Sequence, residues 1–323
     1  MRRFLILALD GVVDSSLALT LDSLATANRV AAARGRDVRL EATLFCPGRR
    51  RIVTGMGATF SVAPEVRIGR FDAVVVPGLG LASAEEIDRF FARRSTAPVV
   101  AWLRDVGGRC PLVAASCSSV FLLAEAQLLK GRTATTTWWL SANFRERYPE
   151  VELDEARMVV ESKGVVCAGA ALAQIDLMLH LIARAASPGV SRDVSRYLAI
   201  ERRPSQARYM MLSAVAGLGA DIGAVERWIR EHRSRSFTIA EMARALGMSS
   251  RTLDRRVRAA TGQGASRFVQ RLRLEHAAHL IETSELPISE VAARVGYSDA
   301  STLRRLIRRD LGVNPSALKR RSA

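Results

Sequence analysis

The sequence predicts an α/β domain built on a parallel sheet, followed by an all-α domain with tandem helix-turn-helix units. Three observations carry this. Short apolar runs alternate with stretches of helical periodicity through the first two-thirds of the chain. Positive charge gathers at the end: residues 224–323 hold 20 Lys and Arg against 10 Asp and Glu, while residues 1–223 hold 28 against 22. A pattern of apolar helix, glycine and capped basic helix then occurs twice in that basic stretch.

The 323 residues suit two domains. Composition excludes a disordered or collagen-like chain, with 49% hydrophobic residues and only 10 prolines. No apolar run reaches the roughly 18–20 residues of a membrane span. Met1-Arg2-Arg3 before Phe4–Leu9 looks like the start of a signal peptide, but Asp10 and Gly11 cut it short. Phe4–Leu9 is therefore expected as a buried first strand, and the protein as cytoplasmic. Cys46, Cys110, Cys117 and Cys167 have no zinc spacing, and the chain holds four histidines, so neither metal nor cofactor is expected.

Strands are expected at Phe4–Leu9, Leu40–Phe45, Ala73–Pro77, Leu112–Ala115 and Val165–Ala168. Helices are expected at Leu17–Ala33, Ile87–Phe91, Val99–Val106, Ser118–Leu129 and Leu172–Arg184. Nearly continuous apolar strands separated by helices indicate a parallel sheet covered on both faces. Gly78-Leu79-Gly80 lacks the third glycine of a dinucleotide fingerprint, so nicotinamide binding is rejected.

Pro111-Leu112-Val113-Ala114-Ala115-Ser116-Cys117-Ser118-Ser119 runs a strand straight into a helix at Cys117. Small neighbours permit the sharp turn that lifts a nucleophile above a sheet, and the helix start would favour a thiolate. The stretch from Ser116 to Thr136 resembles the elbow of the PfpI-like, class I glutamine amidotransferase-like superfamily, which includes the GlxA-type regulators. Agreement extends to Val75-Val76-Pro77-Gly78, to Asp22 through Arg29, to Cys167-Ala168-Gly169 with Asp176, and to Arg202-Arg203-Pro204-Ser205-Gln206. The resemblance implies flavodoxin-like layering. Hydrolytic members carry a His in a Thr-Thr-His-Trp run; here Thr137 stands in its place, before Trp138. The acid that leans over the thiol in many members maps to about Ser16, with Asp14 two positions away. A thiol hydrolase needs a base and a group to orient it. The domain is thus expected to be catalytically inactive and to form an effector pocket from Cys117, Ser16, Asp14, Leu79, Gly80, Ser118, Thr137 and Trp138.

In the basic part, Thr238–Leu246 is an apolar-striped helix, Gly247 turns the chain, and Ser249 caps a helix from Ser250 to Arg258. Ile288–Val295, Gly296, Asp299 and Ala300–Arg309 repeat the plan, and one long helix, Phe268–Ile281, lies between. Such a link could set two recognition helices into successive major grooves, about 34 Å apart. With Gly296-Tyr297-Ser298-Asp299 and Gly312-Val313-Asn314-Pro315, this module resembles the AraC/XylS DNA-binding domain. The resemblance points Arg251, Asp254 and Arg255, and then Ser301, Thr302 and Arg305, at base edges. Thr252 belongs to the same DNA-facing set. Arg256, Arg258, Arg304, Arg308 and Arg309 are expected at phosphates or neighbouring carboxylates. The expected organisation is a sensor and dimerisation domain over 1–205, a linker over 206–224 and the DNA-binding domain over 225–323. The expected partners are promoter DNA, RNA polymerase, a small-molecule effector and a second copy of the chain, with no membrane; the place of action is the cytoplasm and nucleoid. The function expected is an effector-responsive transcriptional activator, the alternative a cysteine hydrolase or amidotransferase fused to a DNA-binding domain.

Overall fold

A computed structural model describes residues 2–206, 209, 220–261, 263–311 and 314–319. Gly312 and Val313 of the C-terminal motif, and most of the expected linker, lie outside the described residues. The chain forms two units, the first ending at Gln206.

The first unit opens with β1 (Arg2–Leu7), α1 (Asp14–Ala33), β2 (Leu40–Phe45) and a hairpin of β3 (Arg51–Val53) and β4 (Thr59–Ser61). Next come β5 (Ala73–Val76), α2 (Ala84–Phe91), α3 (Thr96–Val106), β6 (Val113–Ser116) and α4 (Val120–Glu125). The remainder is β7 (Thr133–Ala134), α5 (Ser141–Arg147), β8 (Glu152–Leu153), β9 (Val159–Ser162), β10 (Val165–Ala168), α6 (Gln174–Ala185) and α7 (Pro188–Tyr197).

The main sheet has the order β2-β1-β5-β6-β10-β9. Its first five strands are parallel, and β9 joins the edge antiparallel to β10. All four side chains of β5, β6 and β10 are buried, as strands covered on both faces require. Their apolar runs therefore read as strands without alternation.

Two expectations are corrected. The first strand covers Arg2–Leu7 rather than Phe4–Leu9; Leu9 is buried but already in the loop. The helix after Cys117 ends at Glu125, not Leu129. There Gln127 takes φ +63°, while its N–H donates to Ala124 O and that of Leu128 to Leu123 O. This is the paired bonding of a Schellman stop, and it overrides the apolar periodicity that Leu128 and Leu129 continue.

The second unit contains α8 (Ala220–Glu231), α9 (Ile239–Ala245), α10 (Ser250–Thr261), α11 (Ala265–Thr283), α12 (Ile288–Arg294), α13 (Ala300–Leu311) and α14 (Pro315–Lys319). It has two cores. Val225, Ile229, Met242, Leu253, Val257 and Phe268 belong to the first; Leu274, Ile281, Val291, Leu303, Ile307 and Leu318 belong to the second. The 19-residue helix α11 supplies its N-terminal half to one core and its C-terminal half to the other. At 1.5 Å per residue it is a rod of about 28 Å.

Candidate functional site

Cys117 sits where β6 meets a short 3-10 turn leading into α4, with φ +54°. A residue with a Cβ is held in that left-handed region at a cost of about 1–3 kcal/mol, and only when its surroundings over-determine it. Here they do. Ser116 donates to Gln174 Oε1 (2.5 Å), Gln174 Nε2 donates to Thr20 Oγ1 (2.7 Å), and the Thr20 hydroxyl donates to Ser16 O (2.7 Å). Ser16 Oγ accepts from Gly78 N (3.2 Å). Behind the elbow, Thr136 Oγ1 donates to Cys117 O (2.9 Å), and Ser119 Oγ donates to Pro77 O (2.6 Å). Gly78 is needed for close approach: a Cβ there would lie 3.1 Å from Ser16 Oγ and 3.2 Å from Cys117 Cβ.

The tie continues to the end of the unit. Gln206 Nε2 donates to Thr136 O (2.9 Å) and Thr135 Oγ1 (3.1 Å), and its Oε1 accepts from Ala170 N (2.9 Å). Gln206 is fully buried, although the linker was expected to begin there. A Cβ at Gly169 would meet its side chain at 2.2 Å.

Of the residues expected around the thiol, Cys117, Ser16, Leu79, Ser118 and Thr137 are all buried, with Cys117 2% exposed. Asp14 and Trp138 are partly exposed and Gly80 is exposed. Burial pushes the Cys117 thiol up; the Ser118 N–H and hydroxyl and the Thr137 hydroxyl oppose this without overcoming it. The Thr137 hydroxyl is itself buried with no hydrogen-bond partner of good geometry among the described residues. The arrangement holds a protonated thiol among neutral hydrogen-bonding groups.

The two groups nearest in type to a base are committed elsewhere. Asp14 accepts from the Thr54 hydroxyl (2.5 Å) and Met56 N (2.9 Å), which hold its carboxyl below the usual range. His180 Nε2 lies 2.7 Å from Glu161 Oε2 of β9, and burial lowers its pKa. Thr20, Gln174, Thr136 and Gln206 were not anticipated. For Thr20 on α1 and Gln174 on α6 the available signal was a polar side chain at a buried helix position; Thr136 and Gln206 lie outside helices and carry no such signal.

In the second unit both helix turns use one device. Gly247 (φ +69°) bonds to Arg244 O and Met248 N to Ala243 O; Gly296 (φ +77°) bonds to Ala293 O and Tyr297 N to Ala292 O. Each is a Schellman stop with glycine at the left-handed position. Ser249 Oγ then accepts from Thr252 N (3.1 Å), and Asp299 accepts from Ser301 N (2.7 Å) and Thr302 N (2.9 Å). These caps start α10 and α13.

Several of the expected DNA-facing side chains have partners within the unit. Asp254 accepts from Ala265 N (2.8 Å) and pairs with Arg258 (3.1 Å), so its carboxylate fastens α10 to the start of α11. The hydroxyls of Ser301 and Thr302 donate to Asp299, and that of Thr252 meets Ser249 Oγ. Arg309 bonds to Asp310 and Gln270, fastening α13 to α11. Arg251, Arg255, Arg256, Arg304, Arg305 and Arg308 are exposed. Arg251 and Arg255 lie one turn apart on α10, and Arg304 and Arg308 likewise on α13.

Residues 2–184 match the DJ-1/PfpI family, more than half of the chain. The chain belongs to the DJ-1/PfpI family. Residues 242–321 match a helix-turn-helix domain, so the DJ-1/PfpI unit is joined to an AraC-type module. Similar curated proteins include the HTH-type transcriptional regulator CdhR of Pseudomonas aeruginosa, 29% identical over 231 residues, covering 69% of this chain and 67% of that protein. The HTH-type transcriptional regulator GlxA of Rhizobium meliloti is 29% identical over 208 residues, covering 64% of each. GbdR of P. aeruginosa, an HTH-type transcriptional regulator, is 24% identical over 312 residues, 96% of this chain and 82% of that one. A crystal structure of an AraC family transcriptional regulator from Pseudomonas putida matches with 20% identity and TM-score 0.48, covering 61% of this chain and all of that one. Among the described residues, no helix is long and apolar enough to cross a membrane, and no group of three or more His, Cys, Asp and Glu is placed to hold a metal ion.

Proposed function

We propose that this chain, a DNA-binding transcriptional regulator, reads promoter DNA with two recognition helices and senses a small molecule through a DJ-1/PfpI unit that does not hydrolyse. The observation that carries the DNA reading is the duplicated turn: two glycine stops with the same bonding, each followed by a capped arginine-rich helix, on either end of α11. The exposed arginines suit phosphates and guanine edges, because a planar fork makes two bonds at once. An effector that favours one arrangement of the chain shifts DNA affinity by its differential affinity for the two states. RNA polymerase, a second copy of the chain and an effector complete the partners of this reading, and the cytoplasm with its nucleoid is its setting.

Arg255 and Arg305 test the base-reading assignment. Arg255→Ala and Arg305→Ala should each cost about 1–3 kcal/mol on the preferred site and relax preference at one position. Arg304→Ala should weaken all sequences nearly equally, as a phosphate contact does. Binding to a library of randomised sites measures both. Equal losses on preferred and random DNA for Arg255→Ala would place that residue among the phosphate contacts.

The non-hydrolytic reading rests on a buried, protonated thiol with no base paired to it among the described residues. Cys117→Ala should keep DNA binding, and neither form should release ammonia from glutamine or cleave peptides. Hydrolysis by the unsubstituted protein that disappears in Cys117→Ala would restore the hydrolase reading.

A further inference from the structure

Cys117 and its neighbours Ser16, Ser118 and Thr137 are buried, and an open cavity lies elsewhere in the same unit. Its volume is about 290 Å³, near the small end of ligand sites. It occupies the carboxyl ends of β1 and β2, where open α/β sheets receive ligands. Leu9, Phe90, Pro98 and Val99 make apolar walls.

The charged groups converge from three separate segments. Asp10 follows β1, Arg49 follows β2 after Gly48 turns the chain with φ +69°, and Arg93 comes from between α2 and α3. Asp10 Oδ1 accepts from Val53 N (2.9 Å), which fixes its orientation. Its other oxygen lies 3.6 Å from Arg49, an ion pair too long for a hydrogen bond. Arg93 lies against the Phe90 ring, 5.9 Å from its centroid. Neither guanidinium donates a side-chain hydrogen bond to another described residue, so their planar forks are available. The three charges sum to one positive. The start of α3 at Thr96 adds to it. Cys46, also in the lining, is neutral: burial and the nearby Asp10 push its thiol to about 11.

We propose that this cavity is the effector site and takes a small monocarboxylate with an apolar body, its carboxylate held between Arg49 and Arg93. Guanidinium and carboxylate match in plane and spacing, and the apolar body replaces water against Leu9, Phe90 and Val99. Asp10 sets selectivity: it offsets one of the two arginine charges, so the remaining positive charge balances one carboxylate and a second is left uncompensated beside Asp10. The assignment of the cavity rests on the effector-sensing reading above, while DNA binding is independent of it.

The test uses the full chain, with isothermal titration and thermal unfolding. Butyrate and phenylacetate are the probes; succinate, inorganic phosphate and butylamine are the comparators. At least one monocarboxylate should bind saturably and raise the unfolding temperature by mass action, while the comparators bind at least about tenfold more weakly, a difference of about 1.4 kcal/mol. Arg49→Ala and Arg93→Ala should each weaken the monocarboxylate about tenfold or more. Arg94→Ala, the exposed neighbour, should leave affinity unchanged. Asp10→Asn should narrow the gap between succinate and the monocarboxylate. Absence of binding by both probes, equal binding of phosphate or butylamine, or full affinity in Arg49→Ala would overturn the proposal. Salt-dependent DNA binding is measured on the same preparation. If it persists while the probes fail, the cavity assignment falls and the regulator reading stands.

Discussion

Duplex DNA affinity of the full chain should fall by about 40-fold or more as salt rises from about 50 to about 200 mM. The basis is the number of phosphates that two recognition helices can neutralise. Each neutralised phosphate releases condensed counterion, so log affinity falls linearly with log salt, with a slope of roughly −0.9 per contact. Of the arginines exposed on α10 and α13, Arg256, Arg304 and Arg308 are the ones assigned to phosphates, and Arg251, Arg255 and Arg305 to base edges. Arg258 and Arg309 are paired with Asp254 and Asp310, which reduces their share. The measurement is fluorescence anisotropy of a labelled duplex across a salt series. A slope near zero would mean that the basic residues do not meet the DNA backbone. Arg304→Ala and Arg308→Ala should each lower the slope by about one, which ties the effect to named residues.

The second large effect is on stability. Phe268→Ala should destabilise the first helix-turn-helix by about 3–5 kcal/mol, the usual cost of emptying a fully buried aromatic site. Phe268 is fully buried among Val225, Ile229, Met242, Leu253 and Val257, so truncation leaves a hole bordered by α8, α9 and α10 together. Domains of this size have only about 5–15 kcal/mol in total. The unfolding transition of the C-terminal unit should therefore drop by more than about 10 °C. Phe268→Leu, which keeps most of the volume, should cost less than about 1.5 kcal/mol. DNA affinity should decline in Phe268→Ala because α10 loses its seat, while the second core, built on Leu274, Ile281 and Leu303, is untouched directly. Calorimetry with parallel anisotropy measurements checks both. A loss below about 1 kcal/mol would mean that the site collapses around the missing ring.

Local patterns carried a good deal of the architecture. Leu40–Phe45 and Val165–Ala168 are strands over the residues expected; Val165–Ala168 is buried at all four positions, and a strand covered on both faces leaves a plain apolar run. The tandem module was legible for a different reason. Glycine at a left-handed position and a short polar cap are local requirements, so Gly247 with Ser249 and Gly296 with Asp299 announce their turns without help from the rest of the chain. Elements half exposed at an edge were less legible. β9 buries only part of its side chains, and the β3–β4 hairpin is three residues on each side, too short for a period to register.

What the sequence determined by itself was the alternation that makes a parallel sheet, the elbow at Cys117, the absence of a histidine at position 137, and a basic module with two capped recognition helices. What only the tertiary structure decided was how polar groups far apart in the chain consume one another. Thr20, Gln174 and Ser116 form one buried chain, and Gln206 reaches Thr136, which reaches Cys117. Asp254 fastens α10 to α11 instead of standing free. Asp10, Arg49 and Arg93 converge on one cavity from three loops. The physical reason is range. Periodicity, caps and glycine turns are settled by neighbours a few residues away, whereas the partner of a buried polar group is chosen by folding, since an unpaired one costs free energy wherever the chain has carried it.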